Sequence, residues 1–417
     1  MVKLLSKLLI SLLALSLLAC NNQKSGEGSI MVFDIDQARD QVTFNIGELF
    51  SSGQIVRLET KPEALIGRIT ELEVSDNYIV IYNQGGRILL FDRQGTFIRH
   101  IGQIGKGPFE YSHVNGLAFS SNEDLILADR AFLDDFIGYS IEGEGVFTVK
   151  RANKGSHMFE LLESDSILSI GYPSVPWKGL TDSINLYHIG TDGSMLYSES
   201  PVKKLHEIRV GGIAIPQHMY PFKGNFKVHF GQDTLFTYNP ENHRLEADAV
   251  FTSKSAGFDY QDLNANETSS MREGNEHLGH AFVEVYAETK DYYLLHGVEI
   301  KSYSVTFEGE TQTGIAPASK GFYIADKKSG SINSVQLIDP YCGIDLQKNA
   351  YAMPFNRLKF SDNRSAYFVY DAIDFKKDVH ALIEACVDPK VQEKLKKLDQ
   401  ELSEEDNCIL FIYELKR

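Results

Sequence analysis

The residues best suited to chemistry fall in three places. Gly102, Gly105 and Gly107 surround Lys106, a grouping whose backbone amides could cradle phosphate. A P-loop needs GxxxxGK followed by Ser or Thr at a helix start, but Lys106 is followed by glycine and preceded by strands. The cluster therefore reads as a connection between strands, with Pro108 fixing φ. His277 and His280 stand beside Glu276, and spacing places no third metal ligand. Asp34, Asp36 and Asp40 alternate like calcium ligands. Arg39, however, sits where an EF-hand loop needs glycine, and Asn45 where it needs an acid, so this reads as a solvated linker. No GxSxG nucleophile elbow occurs. Paired catalytic carboxylates would come from separate repeats and leave no local signature. The expectation is no metal and no cofactor.

The patterning around these residues points to sheets. Tyr78–Tyr111 holds three short apolar runs, Tyr78–Tyr82, Ile88–Phe91 and Phe97–Ile101, rich in β-branched and aromatic residues. Gly85-Gly86 and Asp92-Arg93-Gln94-Gly95 break them into an antiparallel meander. The meander recurs at Leu117–Val149, Ser166–Tyr197, Phe226–Phe251 and Tyr292–Ile338, and again from Leu358, with Ser365–Tyr370 its clearest strand. Six units of roughly 60 residues exceed the ~40–50 of compact propeller repeats, which implies loop insertions. The pattern predicts an all-β, six-bladed β-propeller of four-stranded antiparallel blades, with a sandwich or jelly roll as competitor. Phe375–Leu402 carries an apolar stripe suited to one helix, or to two broken at Asp388-Pro389. It predicts a helical insertion over about 375–402. Cys408–Leu415 reads as a terminal strand able to close the ring by pairing with Gln41–Phe44 or Gln54–Leu58.

The chain's start bears on location. Lys3 and Lys7 precede an apolar run, Leu8–Leu18, too short for a span of ~20 residues but suited to a secretory signal. Leu17-Leu18-Ala19-Cys20 resembles a bacterial lipoprotein signal, in which Cys20 becomes the lipidated N-terminus. The expected organisation is signal peptide 1–19, lipidated cysteine and tether 20–40, and propeller 41–417. The formal charge of −16 becomes −18 once residues 1–19 and their two lysines are removed. Such a balance opposes binding to nucleic acid or to anionic lipid headgroups. With Cys20 lipidated, Cys342, Cys386 and Cys408 allow at most one disulfide and leave at least one thiol.

Phe91-Asp92-Arg93-Gln94-Gly95, Phe97-Ile98-Arg99, Ile101-Gly102 and Gly105–Tyr111 together resemble the six-bladed β-propeller lipoproteins of Bacteroidetes, which are related to NHL-repeat propellers. Leu125–Arg130 resembles the start of an NHL-type blade, and Glu404–Asn407 with the strand after it also fits. Phe109 stands where that pattern has a second glycine. The resemblance implies an envelope location, a lipid anchor in the outer membrane and, since Asn21–Lys24 lack an acidic run, its periplasmic side. It also implies O-glycosylation at Asp-Ser/Thr-aliphatic sites, here Ser166, Ser183 and Thr234.

Loops around a propeller axis form a concave ligand face. Its candidates are Glu110, Tyr111, Asp129, Arg130, Trp177, His218 and Tyr220, and the expected role is non-catalytic binding of a glycan, peptide or envelope protein. A glycan hydrolase or lyase would instead bring acids from several blades together at the axis. A scaffold in an outer-membrane assembly would expose an apolar patch.

Overall fold

The computed structural model describes residues 30–152, 156–163, 165–172, 183–203, 218–230, 233–253, 281–307, 310–338, 359–361 and 365–416. They form six antiparallel blades in a ring. Blade 1 is Ile69–Val74, Tyr78–Asn83, Ile88–Asp92 and Phe97–Ile101. Blade 2 is Val114–Phe119, Leu125–Arg130, Asp135–Ser140 and Gly145–Lys150. Blade 3 is Ser156–Leu162, Ser166–Tyr172, Ser183–Gly190 and Met195–Lys203. Blade 4 is His218–Phe222, Asn225–His229, Thr234–Asn239 and Arg244–Thr252. Blade 5 is Ala281–Glu288, Tyr292–Phe307, Glu310–Asp326 and Ile332–Ile338. Blade 6 is Lys359–Ser361, Ser365–Tyr370, Ile409–Leu415 and, as its outermost strand, Phe50–Arg57.

Ring closure therefore uses the second of the two expected partners. Phe411 pairs with Ile55 and Ile412 with Gln54. The other candidate strand has a different use. Arg39–Asn45 lies parallel along the outside of blade 5, and Met31–Asp34 along the outside of blade 4. Residues 31–34 and 39–40, read as tether, thus belong to the propeller's outer wall. Phe33 and Ile35 of the predicted tether are buried, and that burial draws the segment onto the ring. Asp34, read as a solvated linker residue, accepts from the Asp36 amide at 3.0 Å and caps a short 3-10 turn.

One apolar cluster fills each of the six junctions between blades. Tyr82, Leu90, Leu117 and Ile137 join blades 1 and 2. Leu127, Phe136 and Ile167 join blades 2 and 3. Leu186, Val228 and Tyr238 join blades 3 and 4, and Phe251, Leu295 and Tyr323 join blades 4 and 5. Between blades 5 and 6 the cluster takes in helices α1 (Ala372–Ala385) and α2 (Pro389–Glu401) through Phe375, Val379, Leu395 and Leu398. The stripe breaks into two helices where Asp388 accepts from the Lys390 and Val391 amides, with Pro389 at the first helical position. Blades 6 and 1 meet through Val56, Leu72, Leu89 and Leu410.

Two residues fasten the closing blade. Gly95 takes φ +91°, and a Cβ there would lie 2.2 Å from the Arg57 carbonyl oxygen, so glycine is required. Asn407 is buried just before the last strand. Its Nδ2 donates to the Glu59 and Ala64 carbonyls at 2.7 and 2.8 Å, and its Oδ1 accepts from the Ile66 amide at 3.0 Å. Asn407→Ala is expected to lower stability by about 2–4 kcal/mol, because buried backbone groups lose their partners. A urea titration checks this: an unchanged midpoint would show that water replaces the amide at no cost.

Candidate functional site

With the apolar side chains committed to the junctions, the inner strands turn their other side toward the axis. Inner strands of successive blades touch one another from blade 1 round to blade 6. In Ile69–Val74, Leu72 and Val74 are buried while Glu71 and Glu73 alternate with them and are half-exposed. These two acids line a cavity of about 290 Å³ with Asn115 of blade 2, Phe159 and Glu160 of blade 3, His218 and Tyr220 of blade 4, and Tyr286 of blade 5. Five blades thus contribute to one axial cavity.

His218 is its most informative member. The Nε2 atom is shut away from solvent and has no hydrogen-bond partner. Burial pushes the imidazole below its ordinary pKa, so the ring is neutral at pH 7. Tyr286 lies against it, ring centroids 6.3 Å apart. Tyr220 also lines the cavity, but its hydroxyl donates to Glu288 Oε2 at 3.1 Å and is held. Glu288 anchors a buried group in which Lys227 reaches Asp248 at 2.7 Å, and Lys327 stands 4.1 Å over the Tyr293 ring. Burial raises the Glu288 carboxyl while the two lysines pull it back. Among the described residues no cluster of three or more His, Cys, Asp or Glu is placed to hold a metal ion.

A domain family model described as "Domain of unknown function (DUF4934)" matches residues 30–414. The chain belongs to the DUF4934 family. This match covers all six blades and both outer N-terminal strands, so the axial cavity lies wholly within the DUF4934 domain. Among solved structures, the chain is similar to a Bacteroides fragilis protein described as exported. The TM-score is 0.61 at 16% identity, covering 93% of this chain and 100% of that one. That likeness shows the shared fold. A DUF4221-family member from Bacteroides vulgatus aligns at TM-score 0.39 and 11% identity, over 68% of this chain and 93% of that one. Virginiamycin B lyase from Staphylococcus aureus aligns at 0.38 and 10%, over 87% and 99%. Neither of these two bears on function. No curated protein matches the chain.

Of the seven ligand-face candidates, His218 and Tyr220 line the cavity, and Trp177 lies outside the described residues. The other four are framework. Tyr111 is buried, donating to the Ile101 carbonyl at 3.2 Å and accepting from the Ile88 amide at 3.0 Å. Glu110 accepts from the Gly107 amide at 2.7 Å, so the glycine cluster is a loop joining blades 1 and 2. Arg130 forms a two-pronged pair with Asp135, both bonds 2.8 Å, and also donates to the Pro108 and Glu110 carbonyls. Asp129 is 0% exposed and pairs with Arg151 at 3.2 Å, while Asn115 Nδ2 donates to it at 3.3 Å. Burial pushes its carboxyl up to about 6, against the pull of Arg151. Strand-end position alone does not expose a side chain when a long loop folds back over that end.

The acids Glu71, Glu73 and Glu160 were missed by sequence reasoning. Their signal is an acid alternating with apolar residues in a strand that precedes a recognised meander. Of the glycosylation candidates, Ser166 is buried and hydrogen-bonded to His188 Nε2 at 2.9 Å, which removes the exposure that modification requires. Thr234 is half-buried, and the Ser183 side chain lies outside the described residues. Cys20, Cys342, His277 and His280 lie outside them as well. Cys386 and Cys408 are buried, and burial pushes the Cys408 thiol up to about 12, which makes it unreactive.

Proposed function

We propose that this chain is an exported, lipid-anchored propeller that binds a small polar ligand, a glycan or a peptide end, in its axial cavity without transforming it. The observation that carries the reading is the unpartnered, buried His218 Nε2 in a cavity walled by carboxylates, an amide and aromatic rings. A buried polar atom without a partner costs stability, and a bound group that hydrogen-bonds to it recovers that cost. The mixed aromatic and polar wall is the composition that orients such ligands. Export and anchoring rest on the Lys3–Cys20 pattern.

Thermal-shift measurements with a panel of oligosaccharides and short peptides test this. A true ligand at about a hundred times its Kd is expected to raise Tm by several degrees. The shift should vanish in His218→Ala and shrink in Glu160→Gln. Binding that survives both substitutions would move the site off the axis. Turnover of the ligand, lost with Glu160→Gln, would replace binding by catalysis.

A further inference from the structure

On the face formed by the second-to-third strand turns, blades 1 and 2 expose apolar side chains together. Phe132 is 77% exposed, Leu65 54%, Ile104 53% and Leu133 43%. They belong to one surface. Ile104 Cδ1 leans on the turn at Gly86, 3.7 Å from where a Cβ would sit. The same turn is held to the Leu65–Arg68 segment, where the Gln84 amide donates to the Arg68 carbonyl at 2.8 Å and Asn83 Nδ2 to the Leu65 carbonyl at 3.3 Å. Phe132 lies 6.1 Å from the His113 ring, whose Nδ1 is 3.1 Å from the Tyr82 hydroxyl at the base of that turn.

Three exposed cations interleave with these side chains: Arg68 beside the Leu65 segment, Arg87 after Gly86, and Lys106 two residues past Ile104. In a chain of net charge −16 these three cations gather around the apolar tips, in segments that also carry Glu63, Glu110 and Asp134. Salt screens charges more than ~10 Å away, so an approaching surface meets chiefly the charges of this face.

We propose that this face docks on an anionic lipid bilayer, Phe132, Leu133, Ile104 and Leu65 entering the headgroup region while Arg68, Arg87 and Lys106 meet phosphate. Apolar tips ringed by basic residues are the side chains of interfacial membrane binding. Each basic side chain near such a surface is worth about fivefold in affinity, so the three supply on the order of a hundredfold. A weak second contact of this kind would hold a tethered body in one orientation, independently of whether the axial cavity takes a ligand.

The test uses the chain from residue 20 onward carrying Cys20→Ser, which cannot be lipidated and retains the whole folded body. Sedimentation with vesicles of phosphatidylglycerol and phosphatidylethanolamine is compared with vesicles of phosphatidylcholine alone. Binding is expected to the anionic vesicles only, and to fall as salt is raised. Phe132→Ser with Leu133→Ser should weaken it tenfold or more, and Arg68→Ser with Arg87→Ser more than tenfold, with unchanged Tm in both. These side chains are exposed, so the fold does not depend on them. Equal sedimentation with both vesicle types, none with either, or variants that bind like the parent would each overturn the proposal. Self-association in ultracentrifugation lost with Phe132→Ser would assign the face to a second copy and overturn it too.

Discussion

A chain cut back to start at Leu58 is expected to lose its stable monomeric fold, whereas one starting at Arg39 keeps it. The first cut removes Phe50–Arg57, the outermost strand of blade 6. That strand buries Phe50, Ile55 and Val56, with exposures of 1%, 6% and 2%. At about 2 kcal/mol for each buried side chain, the loss is about 6 kcal/mol before any hydrogen bond is counted. A domain's whole stability is about 5–15 kcal/mol. The cut also strips a partner from Ile409–Leu415, leaving a long apolar edge of the kind that pairs with other chains. Arg57 would no longer meet Asp406 at 2.9 Å. The second cut takes away Met31–Asp34 and the short turn after it, whose buried side chains are Phe33 and Ile35 beside blades 4 and 5, and leaves every blade with its four strands. Size-exclusion chromatography and urea unfolding of the two truncations decide the matter. If the chain starting at Leu58 runs as a monomer with the full-length midpoint, closure by the N-terminal strand is not what holds the ring.

The contrast between those cuts also shows what local patterning can report. The meanders starting at Tyr78, Leu117 and Ser166 were legible because they hold short runs rich in β-branched and aromatic residues, separated by turns that carry Gly, Asn or Asp. The inner strands of blades 1, 3, 4 and 5 were not. ITELEV at 69–74 and HMYPF at 218–222 turn one side to the axial cavity, so they carry polar residues where a recognisable strand would be apolar. The axial acids went unseen for the same reason. The parallel pairings Met31↔Ala249 and Val42↔Val335 join residues more than two hundred positions apart, and no short-range signal encodes them. The helix break at Asp388-Pro389 was legible because the capping side chain and the proline are both local. Strand-end polar residues such as Asp129 and Arg130 misled, since partners such as Arg151 and the Glu110 carbonyl lie about twenty residues away.

Arg151→Ala should be the most damaging single substitution in blade 2, and its cost should depend on pH. The side chain of Arg151 reaches Asp129 at 3.2 Å and Asp134 at 2.9 Å. Asp129 is 0% exposed, so truncating Arg151 leaves a buried carboxylate without its cation, which typically costs about 3–5 kcal/mol. The parent's own pH dependence has a definite sign. Burial raises the folded carboxyl to about 6 from 3.8, so its contribution to stability is fully present below pH 3.8 and is lost as pH rises through 6. Without Arg151 the larger downward influence goes, only the Asn115 hydrogen bond remains, and the folded carboxyl rises further. Near pH 8 the variant must keep an unpaired charge buried or protonate it at a cost, so the full penalty shows. Near pH 5 the parent is largely protonated too, the ion pair matters little, and the gap should shrink by on the order of 2 kcal/mol. Urea midpoints of parent and variant at the two pH values measure this gap. Adding Asp129→Asn to the variant should recover most of the loss at high pH, the coupling expected of two groups in direct contact. A penalty equal at both pH values and untouched by Asp129→Asn would mean that Arg151 acts through the packing of its hydrocarbon stem, with its charge incidental.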